Sequence, residues 1–490
     1  MKRTILKKLT ACLCLCAVLC GVLTVPAGAA FRDVPSSHWA AEAIDRCAAQ
    51  GWFQGRTADT FGVGQPMTRA GFAAALSRFF GWQSSGAYYP IFSDVSQKDW
   101  YEPALRVCYE HGAVTRQTGD FRPGDPITRE ELAVMLIRAL GYGPIAGLAE
   151  DDPLPFRDVT TSKGLIAMAY ELGLVSGMWD GLFIPDRYAT REQTAVMLSR
   201  LHDKLHPAQA ANETMVLLHS GQETESLDGY QTVVIMTGTL FGGRDPRLTI
   251  SVSETQKQAM EKAKAAGQTV LLGISGQSSA LKSAALAAAA VAKTMTDSGC
   301  DGVYLDITQS GGSRGALGSF AQSFRAARPE LKLYAAVDAP LRGGSTPDYQ
   351  ALGEAADRVV LRVSGYEDTT GAVPVYAMEP LENVYYALSA LNDQIPGEKL
   401  ALLLTAEGRG RSEKEKKAVS LNGDAVAALE AKGRVSYSDR YACAYLETKD
   451  TVAWYLNAKA LEARLRLLRC FGASACCFTS PNGTLRPLEN

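Results

Sequence analysis

The 490-residue chain has few cysteines and little net charge. Its 50 basic and 52 acidic residues nearly cancel, so charge gives no general reason to expect nucleic acid as a partner. Four of the 11 cysteines lie within the first 20 residues. The other seven are too sparse, and odd in number, for a disulfide framework. After residue 30, no stretch is long and apolar enough to span a bilayer.

Residues 1–30 have the features of a secretory signal peptide. A basic head precedes the apolar run 9–25, and Ala27-Gly-Ala29 supplies a small-residue cleavage site. A membrane anchor is the alternative, but about 17 apolar residues is the lower limit for a span. A lipid anchor is disfavoured because Leu9-Thr-Ala-Cys12 precedes the hydrophobic run. Cleavage removes Lys2, Arg3, Lys7 and Lys8, which leaves 46 basic and 52 acidic residues and a net charge of −6.

A threefold repeat follows the predicted signal. Phe-x-Asp-Val recurs at spacings of 61 and 64 residues, and a Thr-Arg step recurs at spacings of 60 and 62. Each copy has the pattern helix, glycine-bounded loop, helix. Because such short helices cannot bury a core alone, the copies are expected to pack into an all-α, pseudo-threefold domain. The motifs begin at Phe31, Phe92 and Phe156, and the steps are Thr68-Arg69, Thr128-Arg129 and Thr190-Arg191.

The Thr-Arg steps predict helix starts that attract anions. Thr128 and Thr190 can cap a helix together with Glu131 and Gln193, whereas the first copy has Gly71 in that position. The arginine then lies in the first helical turn, beside unpaired backbone N–H groups. One such arginine could simply be solvated, but three at one register favour an anion site.

Two cysteines occupy equivalent positions in the repeats. A position that holds Cys47, Cys108 and Ala169 in turn predicts a small, buried helix residue. Near the C-terminus, Cys470, Cys476 and Cys477 have no spacing typical of a zinc site, and we expect no metal or cofactor.

The repeat resembles the S-layer homology family. The pattern Phe-x-Asp-Val, His/Asp-Trp, Gly-x-x-x-Gly, Phe-x-Pro and Thr-Arg-Glu falls in order three times, which predicts repeats at 31–90, 91–150 and 151–205. The resemblance implies an exported bacterial protein in the cell wall or surface layer, bound to acidic secondary cell-wall polysaccharide that often carries a pyruvyl ketal. The third copy departs from the pattern, with Ser162-Lys-Gly-Leu165 where the tryptophan should stand. The implied sugar-binding residues are Arg69, Arg129, Arg191, Trp39 and Trp100.

Beyond a predicted linker at 206–213, eight short apolar runs alternate with helical segments over residues 214–490. This alternation predicts a (β/α)8 TIM barrel, with a doubly wound sheet as the alternative. Helices are expected at 254–266, 280–296 and 451–470. The strands are expected at 214–219, 231–236, 269–274, 302–307, 332–337, 358–363, 400–405 and 473–479.

Catalytic groups of such barrels lie at the C-terminal ends of strands. The candidates at these ends are His219, Asp306, Thr308, Asp338, Tyr366, Glu367, Glu407 and the region of Phe478.

Several runs resemble family 18 glycoside hydrolases. Cys300-Asp-Gly-Val-Tyr-Leu-Asp-Ile-Thr308 is similar to the fourth-strand motif Asp-Gly-x-Asp-x-Asp-x-Glu. Gly365-Tyr-Glu367 resembles the Tyr-Asp of strand six, and the run 399–409 resembles strand seven. The resemblance implies an N-acetylglucosamine polymer as the ligand, contacted by Tyr304, Tyr366, Glu367 and Phe478.

The departures from that family concern catalysis. Its final Glu protonates the glycosidic oxygen, and the preceding Asp orients the substrate acetamido group. Asp301 and Asp306 are kept here, but Tyr304 replaces the middle carboxylate and Thr308 replaces the acid. A threonine hydroxyl is too weak an acid for this step.

Three hypotheses follow for the barrel. The favoured one is a wall-anchored pseudoenzyme that binds glycan without efficient hydrolysis. The second is an active glycosidase that uses Glu407 or Glu367 as a displaced acid. The third is a structural or partner-binding module of the surface layer.

Overall fold

The computed structural model describes residues 31–485 apart from 85, 117–118, 208–212, 223–225, 296–297, 309–314, 341–348, 366–376 and 482. The predicted signal peptide, Tyr366 and Glu367 therefore lie outside the described residues. Two compact units are present: one contains the chain up to Ala139 and Ile184–Arg200, and the other contains Leu140–Phe183 and the chain from Leu201 onward. No single helix among the described residues has the length and apolar composition needed to cross a membrane.

Each repeat contributes two helices, as predicted. The position shared by Cys47, Cys108 and Ala169 is fully buried in all three copies, which confirms the packing interpretation. Burial raises the pKa of both thiols, to about 12. The helices are α1 (Ala41–Ala49), α2 (Arg69–Phe79), α3 (Glu102–Glu110), α4 (Arg129–Ala139), α5 (Lys163–Glu171) and α6 (Arg191–Leu205).

The predicted helix caps are present. The Thr128 hydroxyl accepts the Glu131 N–H at 3.1 Å, and the Glu131 carboxylate accepts the Thr128 N–H at 3.0 Å. Thr190 and Gln193 form the same reciprocal pair. Thr68 caps its helix through the N–H of Gly71 alone. These bonds satisfy donors that would otherwise be unpaired at each helix start.

The aspartate of each Phe-x-Asp-Val motif fixes a loop within its own repeat. Asp33 accepts the backbone N–H groups of Phe61, Gly62 and Val63 at 2.6–3.1 Å. Burial acts to raise the pKa of Asp33, but these three donors outweigh it and lower the pKa. Asp94 accepts from Phe121 in the same way. The repeated carboxylate is thus a backbone clamp.

The segments before the Thr-Arg steps form a closed ring of backbone hydrogen bonds. Met67 N–H donates to Ala189 at 2.9 Å, Ala189 to Ile127 at 2.9 Å, and Ile127 back to Met67 at 2.8 Å. Each repeat therefore pairs with both others, which gives the expected pseudo-threefold arrangement. The ring satisfies buried backbone groups at the point where the three repeats meet.

The second unit is built on a closed parallel sheet, as predicted. Strands β1, β2, β4–β8 and β14 pair in parallel, and β1 bonds to both β2 and β14. The strands are β1 (Thr214–Leu218), β2 (Thr232–Phe241), β3 (Arg247–Ile250), β4 (Thr269–Gln277), β5 (Gly302–Thr308), β6 (Lys332–Asp338), β7 (Arg358–Arg362), β8 (Leu400–Leu404), β9 (Gly408–Ser412), β10 (Lys417–Leu421), β11 (Arg434–Ser438), β12 (Cys443–Glu447), β13 (Thr451–Tyr455) and β14 (Ala475–Phe478).

Helices surround this barrel, and short 3₁₀ turns lie at 278–281 and 397–399. The third repeat's α5 and the 3₁₀ turn Gly143–Ala149 belong to the same unit. There Tyr385 donates its hydroxyl hydrogen to Glu171, and Lys204 Nζ donates to the Cys470 carbonyl at 3.1 Å. The barrel-side helices are α7 (Glu254–Ala265), α8 (Ala284–Met295), α9 (Ala316–Ala327), α10 (Gln350–Ala355), α11 (Leu381–Leu391), α12 (Gly423–Glu430) and α13 (Ala458–Cys470).

An insertion separates β8 from β14. Strands β9–β13 form a five-stranded antiparallel sheet, called here the insertion sheet, in the order β10-β9-β13-β12-β11. The predicted helix over 451–470 is therefore wrong in its first part, because Thr451–Tyr455 is a strand. That segment is rich in β-forming residues, and the helix begins only after Asn457, whose side chain accepts the Ala460 N–H at 2.9 Å.

The barrel interior is filled by alternate residues of its strands. Tyr304, Tyr334 and Val360 belong to one buried cluster, so residues two positions further along these strands also face inward. At the opposite end, Glu213 accepts the Tyr334 hydroxyl at 2.9 Å and pairs with Arg358 at 2.5 Å. This polar group closes the N-terminal end of the barrel, the end associated with stability.

Candidate functional site

The C-terminal end of the barrel carries three charged side chains that face its interior. Asp306, Asp338 and Arg362 each lie two residues beyond a buried inward residue of β5, β6 and β7. The register places Asp338 directly opposite Arg362. We call this end, with Glu407 after β8, the barrel mouth.

Arg362 pairs with both carboxylates at the mouth. Its Nη1 forms an ion pair with Asp306, and its Nε donates to Asp338 Oδ1 at 2.9 Å. Burial acts to lower the pKa of the guanidinium, but Asp306 and Asp338 outweigh it and the pKa is raised. The carboxylate of Asp306 is therefore paired with a cation on its own barrel wall. The sequence indicated both carboxylates but missed the arginine.

Thr308 and Asp301 lie at opposite ends of one strand. The Thr308 backbone ends β5 and pairs with Gln277, and its side chain lies outside the described atoms. Asp301 precedes β5, and its carboxylate accepts the Val270 N–H at 2.7 Å. At about 3.3 Å per residue, Asp301 is separated from Asp306 by most of the strand length. Asp301 thus fixes the start of the strand and does not reach the mouth.

Tyr304 and Phe478 are fully buried. Tyr304 lies in the barrel core, where burial raises the pKa of its hydroxyl well above the usual value, and Phe478 packs edge-on against Tyr230 with ring centroids 5.9 Å apart. Neither ring is open to a glycan in this conformation, contrary to what the family resemblance implies, and both are left out of the site proposed below.

Two further carboxylates lie near the mouth. Glu407 Oε2 accepts the Thr479 hydroxyl at 3.1 Å, which ties β8 to the end of β14. Glu379 accepts the Thr405 hydroxyl at 2.6 Å and is almost completely buried. Burial raises the pKa of Glu379 to about 7, against the opposing effects of Thr405 and Arg464. Sequence reasoning missed Glu379, because it does not follow any of the expected strands.

The insertion sheet presents an aromatic face that begins at the mouth. Its other face packs α12 through Val426, Leu446 and Tyr455. On the open face, Arg409 lies opposite Trp454 in the strand register, and Trp454 lies opposite Tyr445. The ring centroids of Trp454 and Tyr445 are 4.9 Å apart. Glu407 immediately precedes β9, so this strand leads from the mouth into the insertion sheet. We call Arg409, Tyr445 and Trp454 the aromatic row.

The repeat arginines pack against phenylalanines of neighbouring repeats. Arg69 lies 4.8 Å from the Phe121 ring centroid and donates Nε–H to the Phe121 carbonyl at 2.7 Å. Arg191 makes the same pair of contacts with Phe61, at 4.8 and 2.9 Å. Arg69 also pairs with Glu131 at 2.5 Å. These guanidiniums therefore join repeats to one another, a role that the sequence pattern did not indicate.

The third arginine and the two tryptophans have different surroundings. Arg129 is half-buried, and its backbone N–H donates to Arg187 at 2.9 Å. Trp39 and Trp100 are 64% and 68% exposed, an unusual state for so large an apolar ring. Trp179, in the copy that lacks the expected tryptophan, is also exposed. The rings are open for contact, whereas the guanidiniums of Arg69 and Arg191 are bonded within the repeats.

The repeat pattern decides the identity of the first part of the chain. Residues 30–73, 91–133 and 155–195 match the S-layer homology domain. The three repeats are S-layer homology domains. The Phe-x-Asp-Val aspartates that fix the loops and the capped Thr-Arg helix starts fall within these matched ranges.

Sequence relatives match less than half of this chain. An endoglucanase of Bacillus sp. (strain KSM-635) is 34% identical over 191 residues, which is 37% of this chain and 20% of the relative. The S-layer protein sap of Bacillus anthracis is 27% identical over 210 residues, 42% of this chain and 25% of the relative. The chain thus spans only a fifth to a quarter of these relatives.

Solved structures similar to this chain cover the barrel. A chitinase from Chromobacterium violaceum has a TM-score of 0.48 and 16% identity, over 56% of this chain and 96% of that one. The Bacillus cereus spore cortex-lytic enzyme SleL has a TM-score of 0.47 and 16% identity, over 56% and 72%. The assignment of a closed barrel itself rests on the strand pairings described above.

Proposed function

We propose that the chain is an exported surface protein of a bacterium, anchored non-covalently to acidic secondary cell-wall polysaccharide by its S-layer homology domains. The three matched domains carry this proposal, and the exposed Trp39 and Trp100 support it because an indole face can pack on a sugar ring. Arg69, Arg129 and Arg191 would supply positive charge beside the sugar, which suits a pyruvylated polymer.

Wall binding can be tested on the secreted full-length protein. Purified cell walls should retain the wild-type protein in a sedimentation assay and lose it after Arg69→Ala combined with Arg129→Ala. Because Arg69 also joins two repeats, circular dichroism and thermal melting must show that the double variant is folded. Unchanged retention of a folded double variant would defeat the role of these arginines.

For the barrel, we propose binding of an N-acetylglucosamine-type glycan without efficient hydrolysis. The ion pair between Arg362 and Asp306 carries this proposal. In the family 18 mechanism, the aspartate before the acid must interact with the acetamido group of the substrate. Here that carboxylate is already bound to a guanidinium, and the position of the acid holds Thr308. Both changes act against turnover.

A surface for the glycan remains beside the mouth. The aromatic row provides two ring faces and one exposed guanidinium, and it adjoins Glu407. Aromatic rings and arginine together can contact the apolar face and the hydroxyl groups of a sugar. This row would take the place of the buried Phe478 as the platform for sugar rings.

One experiment separates the three hypotheses for the barrel. Chito-oligosaccharides and peptidoglycan fragments would be titrated into the full-length protein by calorimetry, and products would be followed by chromatography, with Asp306→Ala alongside. Binding without products is expected, together with loss of affinity in Trp454→Ala. Turnover that disappears in Asp306→Ala would establish an active glycosidase. Absence of binding would leave a structural module.

A further inference from the structure

A groove of about 1250 Å³ lies on the flank of the barrel, between β3, α7 and α8. None of the mouth residues Asp306, Asp338, Arg362 and Glu407 lines it. Its floor includes Leu272 of β4, which faces outward because its neighbour Leu271 points into the barrel core. We call this feature the flank groove.

The flank groove exposes apolar surface to water. Phe241 and Leu286 are 53% and 55% exposed, and both border it. Ile250 and Met260 add apolar wall on β3 and α7. Leaving such surface in water costs about 25 cal/mol per Å² relative to burial. A concave apolar patch of this kind marks a binding site more often than a scattered surface residue does.

The shape of the groove favours a chain-like ligand. Leu272 at the floor is only 2% exposed, so the side chains around it already cover it, and the apolar surface open to a ligand is that of Phe241 and Leu286. An α-helix with its side chains is about 10–12 Å across and could not reach this floor. A single polymethylene chain could lie between α7 and α8 and bury the exposed faces of Phe241 and Leu286.

The charges on the groove favour an anion. Arg247, Lys257 and Lys293 line it against a single carboxylate, that of Asp245. Lys257 pairs with Glu254 at 3.3 Å, whereas within the described part of the chain neither Arg247 nor Lys293 forms an ion pair. This local excess of positive charge stands out in a chain whose formal net charge is −2. It would attract an acidic headgroup.

We propose that the flank groove binds an amphiphile with one long apolar chain and an acidic headgroup, as in a long-chain fatty acid. The chain lies over Leu272 between α7 and α8, and the headgroup is held by the basic side chains at the rim. This site is independent of the glycan surface at the mouth, so either proposal can fail without the other.

The test uses a fluorescent fatty acid, 11-(dansylamino)undecanoic acid, titrated into the full-length secreted protein. Saturable binding is expected, with displacement by palmitate and not by methyl palmitate or cetyltrimethylammonium. Ala289→Trp should block the groove and reduce affinity at least about tenfold. Ala265→Trp, on an exposed part of α7 outside the groove, is the matched control.

A charge variant keeps the proposal testable if the tryptophan disturbs folding. Lys293→Glu should weaken binding about tenfold, while Lys262→Glu on the exposed side of α7 should not. Equal displacement by the neutral ester, or unchanged affinity in Lys293→Glu, would overturn the proposal that the ligand has an acidic headgroup. Unchanged affinity in a folded Ala289→Trp variant would overturn the site. Binding only to phosphatidylglycerol vesicles would instead indicate a membrane surface.

Discussion

The guanidinium of Arg362 pairs with the carboxylate of Asp306 at the mouth of the barrel. Asp306 occupies the place that, in the family 18 motif, precedes the catalytic acid, and Thr308 occupies the place of the acid itself. Under the proposed function, Thr308 at the end of β5 and Arg362 on β7, two strands away, both act against hydrolysis at this mouth.

Under the proposed function, hydrolysis should require changes at both positions. Thr308→Glu combined with Arg362→Met would supply an acid and release Asp306, and we expect measurable cleavage of chito-oligosaccharides by chromatography. A general acid contributes about 10²–10⁴-fold in rate, so Thr308→Glu alone should remain far less active than the double variant. Adding Asp306→Ala to the double variant should abolish the gain. An active wild-type protein would contradict the premise.

Glu379 should make stability depend on pH. Burial raises the pKa of Glu379 to about 7 from an ordinary value of 4.5. The native state thus holds this proton more tightly than the unfolded state. The stabilisation is full below about pH 4.5 and is lost as the pH rises through about 7, by on the order of 1–3 kcal/mol.

Glu379→Gln isolates that contribution. Glutamine keeps an acceptor for the Thr405 hydroxyl but cannot ionise. Thermal melts between pH 5 and 8 should show a smaller loss of stability at high pH for the variant than for the wild type. Parallel curves for the two proteins would show that Glu379 does not titrate in this range. Glu382→Gln, at a buried glutamate on α11 that pairs with Arg440, serves as the comparison.

Substitutions of exposed tryptophans and of a buried arginine in the S-layer homology domains should have different effects on cell-wall retention and on stability. Trp39→Ala and Trp100→Ala remove rings that are largely in water, so stability should change by no more than about 0.5 kcal/mol. Cell-wall retention should nevertheless fall, about tenfold in affinity. Retention equal to wild type would exclude these rings from the sugar site.

Arg191→Ala, unlike the tryptophan variants, should lower stability. Its guanidinium is buried and donates to the carbonyls of Phe61 and Gln54 at 2.9 and 2.7 Å. We expect a loss of about 2–4 kcal/mol in thermal or denaturant unfolding, because the variant removes the bonds of a buried guanidinium to both carbonyls and its packing on the Phe61 ring. Arg191→Lys should recover little, since lysine lacks the planar fork. A variant as stable as wild type would mean that the contacts are dispensable.

The share of the structure that could be predicted from the sequence differed between the repeats and the barrel. All eight barrel strands were predicted, because strands buried on both faces read as continuous apolar runs. The repeat was predicted because its motifs recur at spacings of 60 to 64 residues. Its helix caps were predicted because each depends on two residues three apart in the sequence. Arg362 was missed because it lies inside an apolar run, and only the register of β5, β6 and β7 brings it to Asp306.

The insertion sheet was missed for a related reason. Its strands are short and half-buried, and Thr451–Tyr455 directly precedes a strongly amphipathic helix, so the helical period was extended too far back. The partners of Arg69 and Arg191 were also unpredictable. Each lies in a different repeat, 52 and 130 residues away, and contact at that distance depends on the threefold packing.

The third repeat should stabilise the barrel. Leu140–Phe183 clusters with the barrel in one unit, and Glu171 accepts the Tyr385 hydroxyl hydrogen. A protein that begins at Leu140 should therefore melt at a higher temperature than one that begins at His206, which lacks Glu171 and the Lys204 bond to Cys470. Tyr385→Phe should narrow that difference, because it removes one of the hydrogen bonds that the longer protein alone can form. Equal melting temperatures for the two proteins would show that the barrel folds independently of the third repeat.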